Sequence, residues 1–159
     1  MLKLLLLLHL LTAIFAIGPL VHAVTTASRG LRQADASALT ASARMAKIYS
    51  IASVLVVIFG FGLMSQKRRG KELGSFGDTW IWLSVLLWVV AVAVTFVVIV
   101  PTLERAADTV RTGGSSSETG GSSIETNLKA QTARVAASGG VVGIIFAVIV
   151  VLMVYRPGS

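Results

Sequence analysis

Apolar residues run almost unbroken through four stretches of this chain: Leu2 to Val24, Met45 to Met64, Thr79 to Val100 and about Val135 to Tyr155. Polar and charged residues collect between them, and no charge falls between Val135 and Tyr155. A hydrocarbon core of about 30 Å needs about 20 helical residues, and each stretch is that long. The pattern predicts an all-α fold, a four-helix transmembrane bundle forming one integral membrane domain over residues 1–159. The connections return the chain across the membrane, so neighbouring spans are expected to pack antiparallel.

The first stretch carries two readings. Lys3 gives a basic start, a leucine-rich run follows, and Gly18-Pro19 is expected to break the helix. Val21-His22-Ala23 fits the small-x-small rule of a signal-peptidase site. The apolar run, however, is about 23 residues long against the usual 7–15 of a signal peptide. The expectation is a retained first helix.

The connections differ in character. Thr25–Arg44 is polar and alanine-rich, with Ala34, Ala36, Ala38 and Ala41 favouring helix. It is expected to extend one or both flanking helices into water, or to form a short interfacial helix. Asp78 or Thr79 is placed to cap the third span by accepting its free amide hydrogens. Trp80 and Trp82 fit the aromatic belt at the membrane boundary, whereas Trp88 lies deeper and needs a partner for its N–H. The third span is expected to stop near Pro101, where Pro101–Arg105 reads as a helix start outside the hydrocarbon with Glu104 in its first turn. Gly113–Ser123, GGSSSETGGSS, reads as a flexible coil.

Small residues inside the spans are packing devices first. Ser50, Ser53, Gly60 and Gly62 lie in the second span. In the fourth, Gly139 and Gly143 make one small-xxx-small pair, and Ala136 and Gly140 make another. The face from Ala136 through Gly139, Gly140 and Gly143 to Ala147 is expected to meet another helix, within this bundle or from another subunit.

Composition narrows the function. The chain is 55% hydrophobic and 13% charged, with mean hydropathy +0.83. Its net charge of +7 sits in connections and at the ends of the chain, where Lys and Arg face lipid headgroups. No stripe of basic and aromatic residues suggests nucleic acid. The absence of cysteine removes disulfides, thiolate metal sites and thiol catalysis. Counting positive residues by side gives six with the ends of the chain and the Lys67–Lys71 connection, and eight on the other side. The positive-inside rule then places the termini outside a cell membrane.

Candidate chemistry is sparse. No Asp or Glu lies in any span, which speaks against a proton relay, a cation-coupled transport site or a membrane carboxylate catalyst. No catalytic residue or metal set is assigned. His9 and His22 are thirteen residues apart, about 20 Å along one helix axis, and cannot share a ligand. His9, inside the leucine run, has the chemistry to ligate haem iron or copper, or to hydrogen-bond a neighbouring helix. Met45, Met64 and Met153 are too scattered to read as a copper stripe.

Three segments carry a resemblance: Leu7-Leu8-His9-Leu10-Leu11 followed by Gly18-Pro19, then Phe76-Gly77-Asp78-Thr79-Trp80, then Val100-Pro101 with Glu104-Arg105. Together the chain resembles four-helix predicted integral membrane proteins of actinobacteria. More distantly it is similar to the copper-resistance D and HemJ-type membrane proteins, which place a histidine in a first helix. HemJ-type proteins are haem-binding protoporphyrinogen oxidases, and the resemblance implies a cofactor role for His9 alone. Their lysine at the start of a later span has no counterpart in Thr79–Leu83. The expectation is a non-catalytic accessory subunit among other membrane subunits, with a respiratory complex as its setting and no bound cofactor. The alternative is a haem- or copper-binding protein using His9.

Overall fold

The computed structural model describes residues 2–64, 66–68, 71–72, 77–113 and 121–156. The helices are α1 (Leu2–Arg32), α2 (Ala36–Met64), α3 (Thr79–Val94), α4 (Val100–Gly113) and α5 (Gly121–Tyr155), and a π turn over Thr95–Ile99 joins α3 to α4. Four helical segments are long and apolar enough to cross a membrane. Antiparallel strands β1 (Lys67–Arg68) and β2 (Lys71–Glu72) form a two-rung ladder between α2 and α3. The expected coil over Gly113–Ser123 lies mostly outside the described residues; α4 ends on Gly113 and α5 begins at Gly121.

α1, α2, α5 and the continuous run of α3, π turn and α4 each outrun the bilayer. At about 1.5 Å per residue, the 31 residues of α1 and the 35 of α5 reach about 46 and 52 Å. The excess gathers at one end, where residues 25–47, 101–113 and 121–134 extend the helices, the first as its alanine-rich composition suggested. Arg29, Arg32, Arg44, Lys47, Glu104, Arg105, Asp108, Arg111, Lys129 and Arg134 lie in these extensions, and such charges belong in water rather than hydrocarbon. One core runs along the bundle, with Ala27, Leu31, Leu39, Ala43, Ala46, Leu103, Ala106, Ala107 and Val135 in the projecting end and Ala91, Ile99, Val142, Phe146 and Ile149 in the membrane end. Lys47 Nζ donates to Glu104 Oε1 at 2.6 Å and Arg111 Nη2 to Thr40 Oγ1 at 2.9 Å, tying α2 to α4.

Two proline expectations are corrected. α1 runs through Pro19 without ending. The third span does not stop at Pro101 either. A proline ring has no N–H and would collide with the carbonyl four residues back, at Val97. The π turn directly before it widens that stretch: the Val100 amide bonds Thr95 O, five residues back, and the helix continues. Thr95 and Thr102 help hold the turn by donating their hydroxyls to the Ala91 and Val98 carbonyls.

Two end-caps also differ from a plain reading. Asp78 occupies the N-cap position of α3 but makes no side-chain capping bond there. The working cap is Asp35. Its Oδ1 accepts from the Ser37 amide at 2.9 Å, the Ala38 amide at 3.1 Å and the Ser37 hydroxyl at 2.6 Å. Its own amide closes α1 by donating to Gly30 O, while Ala34 before it takes a left-handed φ of 49°. One turn therefore finishes α1 and starts α2. The Ser37 hydroxyl, then the Ala38 amide, hold the Asp35 carboxyl below the usual aspartate range.

Candidate functional site

α2 packs on α4 in the projecting end and on the π turn, but has little contact with α3, which packs on α5. α1 closes one side by lying against both α2 and α5. The separation between α2 and α3 leaves a cavity of about 370 Å³, walled by all four spans. Small-molecule sites run from about 300 to 1,000 Å³, so it stands at the small end.

His9 is on this wall. Its Nδ1 donates to the Val56 carbonyl oxygen of α2 at 2.9 Å. In an α-helix that carbonyl's ordinary donor is the amide of residue 60, and residue 60 is glycine. A Cβ built on Gly60 would come within 3.3 Å of His9 Cε1 and 3.6 Å of Nδ1. Gly60 is thus what lets the imidazole approach the backbone of α2. Sequence reading identified Gly60 as a packing residue but could not say what packed there. Gly62 admits Leu5 in the same interface.

The tryptophans divide unexpectedly. Trp82 is exposed, as a belt residue should be. Trp88 Nε1 donates to Ser53 Oγ at 2.9 Å, the partner its depth demanded. Trp80 is not a belt residue: it is 9% exposed, it walls the cavity, and its Nε1 has no partner among the described residues. Burial came from the other spans, with Met64 and Met153 packed beside it. The same packing brings Met64 and Met153 onto the wall that holds His9, though sequence alone left them scattered. Arg156 lies over the Trp80 ring at 5.6 Å. His22 is exposed beside Thr26, far from His9 in sequence and outside this cavity.

Part of the small-residue face of the fourth span is open among the described residues. The residues α5 buries are Val135, Val142, Phe146 and Ile149. Ala136, Gly140 and Ala147 are exposed, and Gly139 and Gly143 half-buried. A Cβ on Gly140 or Gly143 would meet nothing within 4 Å, so among the described residues no helix makes a close approach at these two glycines. Among the described residues, no cluster of three His, Cys, Asp or Glu could hold a metal ion.

No curated protein and no solved structure matches the chain. A family of predicted integral membrane proteins, DUF2269, matches residues 3–157. With nearly the whole sequence covered and four spans in place, the chain belongs to that family of multi-pass membrane proteins.

Proposed function

We propose that this chain is a non-catalytic accessory subunit of a larger bacterial membrane complex, in the cell membrane with its termini outside and a respiratory assembly as its setting. The observation that carries this reading is the open part of the glycine face of α5, which has space for a helix that the described residues do not provide. Close backbone packing through small residues is a main source of helix association in lipid, because bilayer hydrocarbon supplies no hydrophobic drive. The lack of carboxylates in the spans also speaks for a role without proton or cation chemistry. Co-purification from native membranes, with mass spectrometry of the accompanying chains, tests the proposal. Gly143→Leu should keep the protein inserted and abundant but release it from its partners. Retention of every partner by that variant would overturn it.

The alternative is a haem- or copper-binding protein that uses His9. In its favour, the Val56 carbonyl accepts from Nδ1 and fixes the ring with Nε2 free, as carbonyl acceptors behind ligating histidines do. Met64 and Met153 on the same wall are soft donors of the kind copper(I) takes. The wall suits haem less well, since among the described residues Arg156 is its only cation for two propionates and the volume is small. A Soret band in the detergent-purified protein that disappears in His9→Ala would favour this alternative over the first.

A further inference from the structure

The cavity between α2 and α3 has a hydrogen-bonding pattern that selects a particular kind of guest. Its wall is largely hydrocarbon, and most of its polar side-chain atoms are already engaged. Ser53 Oγ donates to Ser50 O and accepts from Trp88 Nε1. Ser84 Oγ donates to Trp80 O. Arg156 donates to Met153 O and covers the Trp80 ring. The indole N–H of Trp80 has no partner among the described residues, and His9 uses Nδ1 for Val56, which leaves its second ring nitrogen for a guest.

Their polarities follow from the contacts. A carbonyl oxygen only accepts, so His9 Nδ1 carries the ring proton toward Val56. Neutral imidazole then leaves Nε2 as a lone pair, able to accept and not to donate. A ketone or ether head offers Nε2 nothing. A hydroxyl donates to it and keeps oxygen lone pairs that a donor such as the Trp80 N–H can use. A buried indole N–H without a partner is costly, which gives an incoming acceptor an added advantage. Trp80, Trp88, Phe61 and Phe146 all face the space and favour an aromatic ring in offset or edge-on contact.

We infer that this cavity binds a lipid-soluble molecule whose head is a phenol or quinol and whose tail is hydrocarbon, its hydroxyl donating to His9 Nε2. The ligand arrives from the bilayer, and the head is the part that the site recognises. The inference is independent of the accessory-subunit reading, because the cavity lies inside one chain.

The full chain in detergent micelles can be titrated with 4-hexylphenol and with its methyl ether, which has nearly the same shape and no hydroxyl donor. Tryptophan fluorescence reports occupancy, since Trp80 and Trp88 are on the wall. The phenol should give a saturable change and bind about tenfold tighter than the ether. His9→Phe should remove that preference while leaving weak binding of both. Equal affinities, a change that never saturates, or a preference that survives in His9→Phe would overturn the inference. So would a haemin-induced Soret band dependent on His9 in a protein that shows no preference for the phenol. If His9→Phe does not accumulate, the phenol-to-ether ratio of the unchanged chain decides.

Discussion

In the projecting end of the bundle, Ala27, Leu31, Leu39, Ala43, Leu103, Ala106 and Ala107 are closed into a dense core of small and branched residues. In the membrane end, the core thins to Ala91, Ile99, Val142, Phe146 and Ile149, α1, α2, α3 and α5 stand far enough apart to leave a cavity, and large residues such as Ile14, Ile58, Val97 and Ile144 face outward. The difference follows from the solvent. Water drives apolar surface inward, so the projecting end has a hydrophobic core. Lipid is as apolar as leucine, so the membrane end gains little by closing and relies on specific contacts. Those contacts are few and directional: His9 to Val56 across the Gly60 notch, and Trp88 to Ser53. Stability therefore belongs mainly to the end outside the bilayer, and the space for a ligand to the end within it.

The strongest test of this contrast is a matched pair of truncations. Leu39, 0% exposed in the projecting core, should cost about 2–5 kcal/mol when changed to Ala. Ile144, 66% exposed toward lipid, should change stability by less than about 0.5 kcal/mol under the same substitution. Denaturant unfolding in detergent measures both, and equal losses would break the comparison.

A smaller effect tests the tight point within the membrane end. Gly60→Val places side-chain atoms against His9, which must move off the Val56 carbonyl. Overpacking of this kind should cost about 1–3 kcal/mol. The His9 ring resonances should shift with it, whereas the projecting core keeps its amide-exchange protection. A Gly60→Val protein with unchanged histidine resonances would show that the notch does not seat the ring.

The smallest effect is a pH dependence confined to the projecting end. The Asp35 carboxyl is held below its ordinary value, chiefly by the Ser37 hydroxyl, so it titrates lower folded than unfolded. Its capping contribution is therefore complete above about pH 4 and is lost as pH falls through the depressed folded value. Asp35→Ala should remove that part of the acid sensitivity and leave stability at pH 7 only slightly lower, because the carboxyl is exposed. An unchanged acid limb in Asp35→Ala would assign the sensitivity to another group.

How legible each feature was depends on the range of the forces that make it. Four spans and the helical extension of Thr25–Arg44 could be read from composition alone, because hydrocarbon thickness and alanine propensity act locally, but the expected packing of every neighbouring pair of spans fails at α2 and α3, which have little contact. Pro19 and Pro101 misled for the opposite reason. A lone proline signals a helix end, but packing of flanking turns, and a π turn before Pro101, override it. His9 stood out by its chemistry, yet nothing in its neighbourhood pointed to Val56 or Gly60, 47 and 51 residues away. Trp80 read as a belt residue because its position along the chain was known and the helices around it were not.

The sequence by itself determined that this is a multi-pass helical membrane protein, because a run of about 20 apolar residues has no other stable place. It also determined which residues could do chemistry, by how few polar side chains the spans contain. The tertiary structure decided how those few are paired. It left Gly140 and Gly143 of α5 open, set Gly60 against the His9 ring, and placed the Trp80 N–H in a wall of hydrocarbon. These are contacts between segments far apart in the chain, and they depend on helix rotation and separation, which a pattern of apolar residues without a strong polar face leaves open.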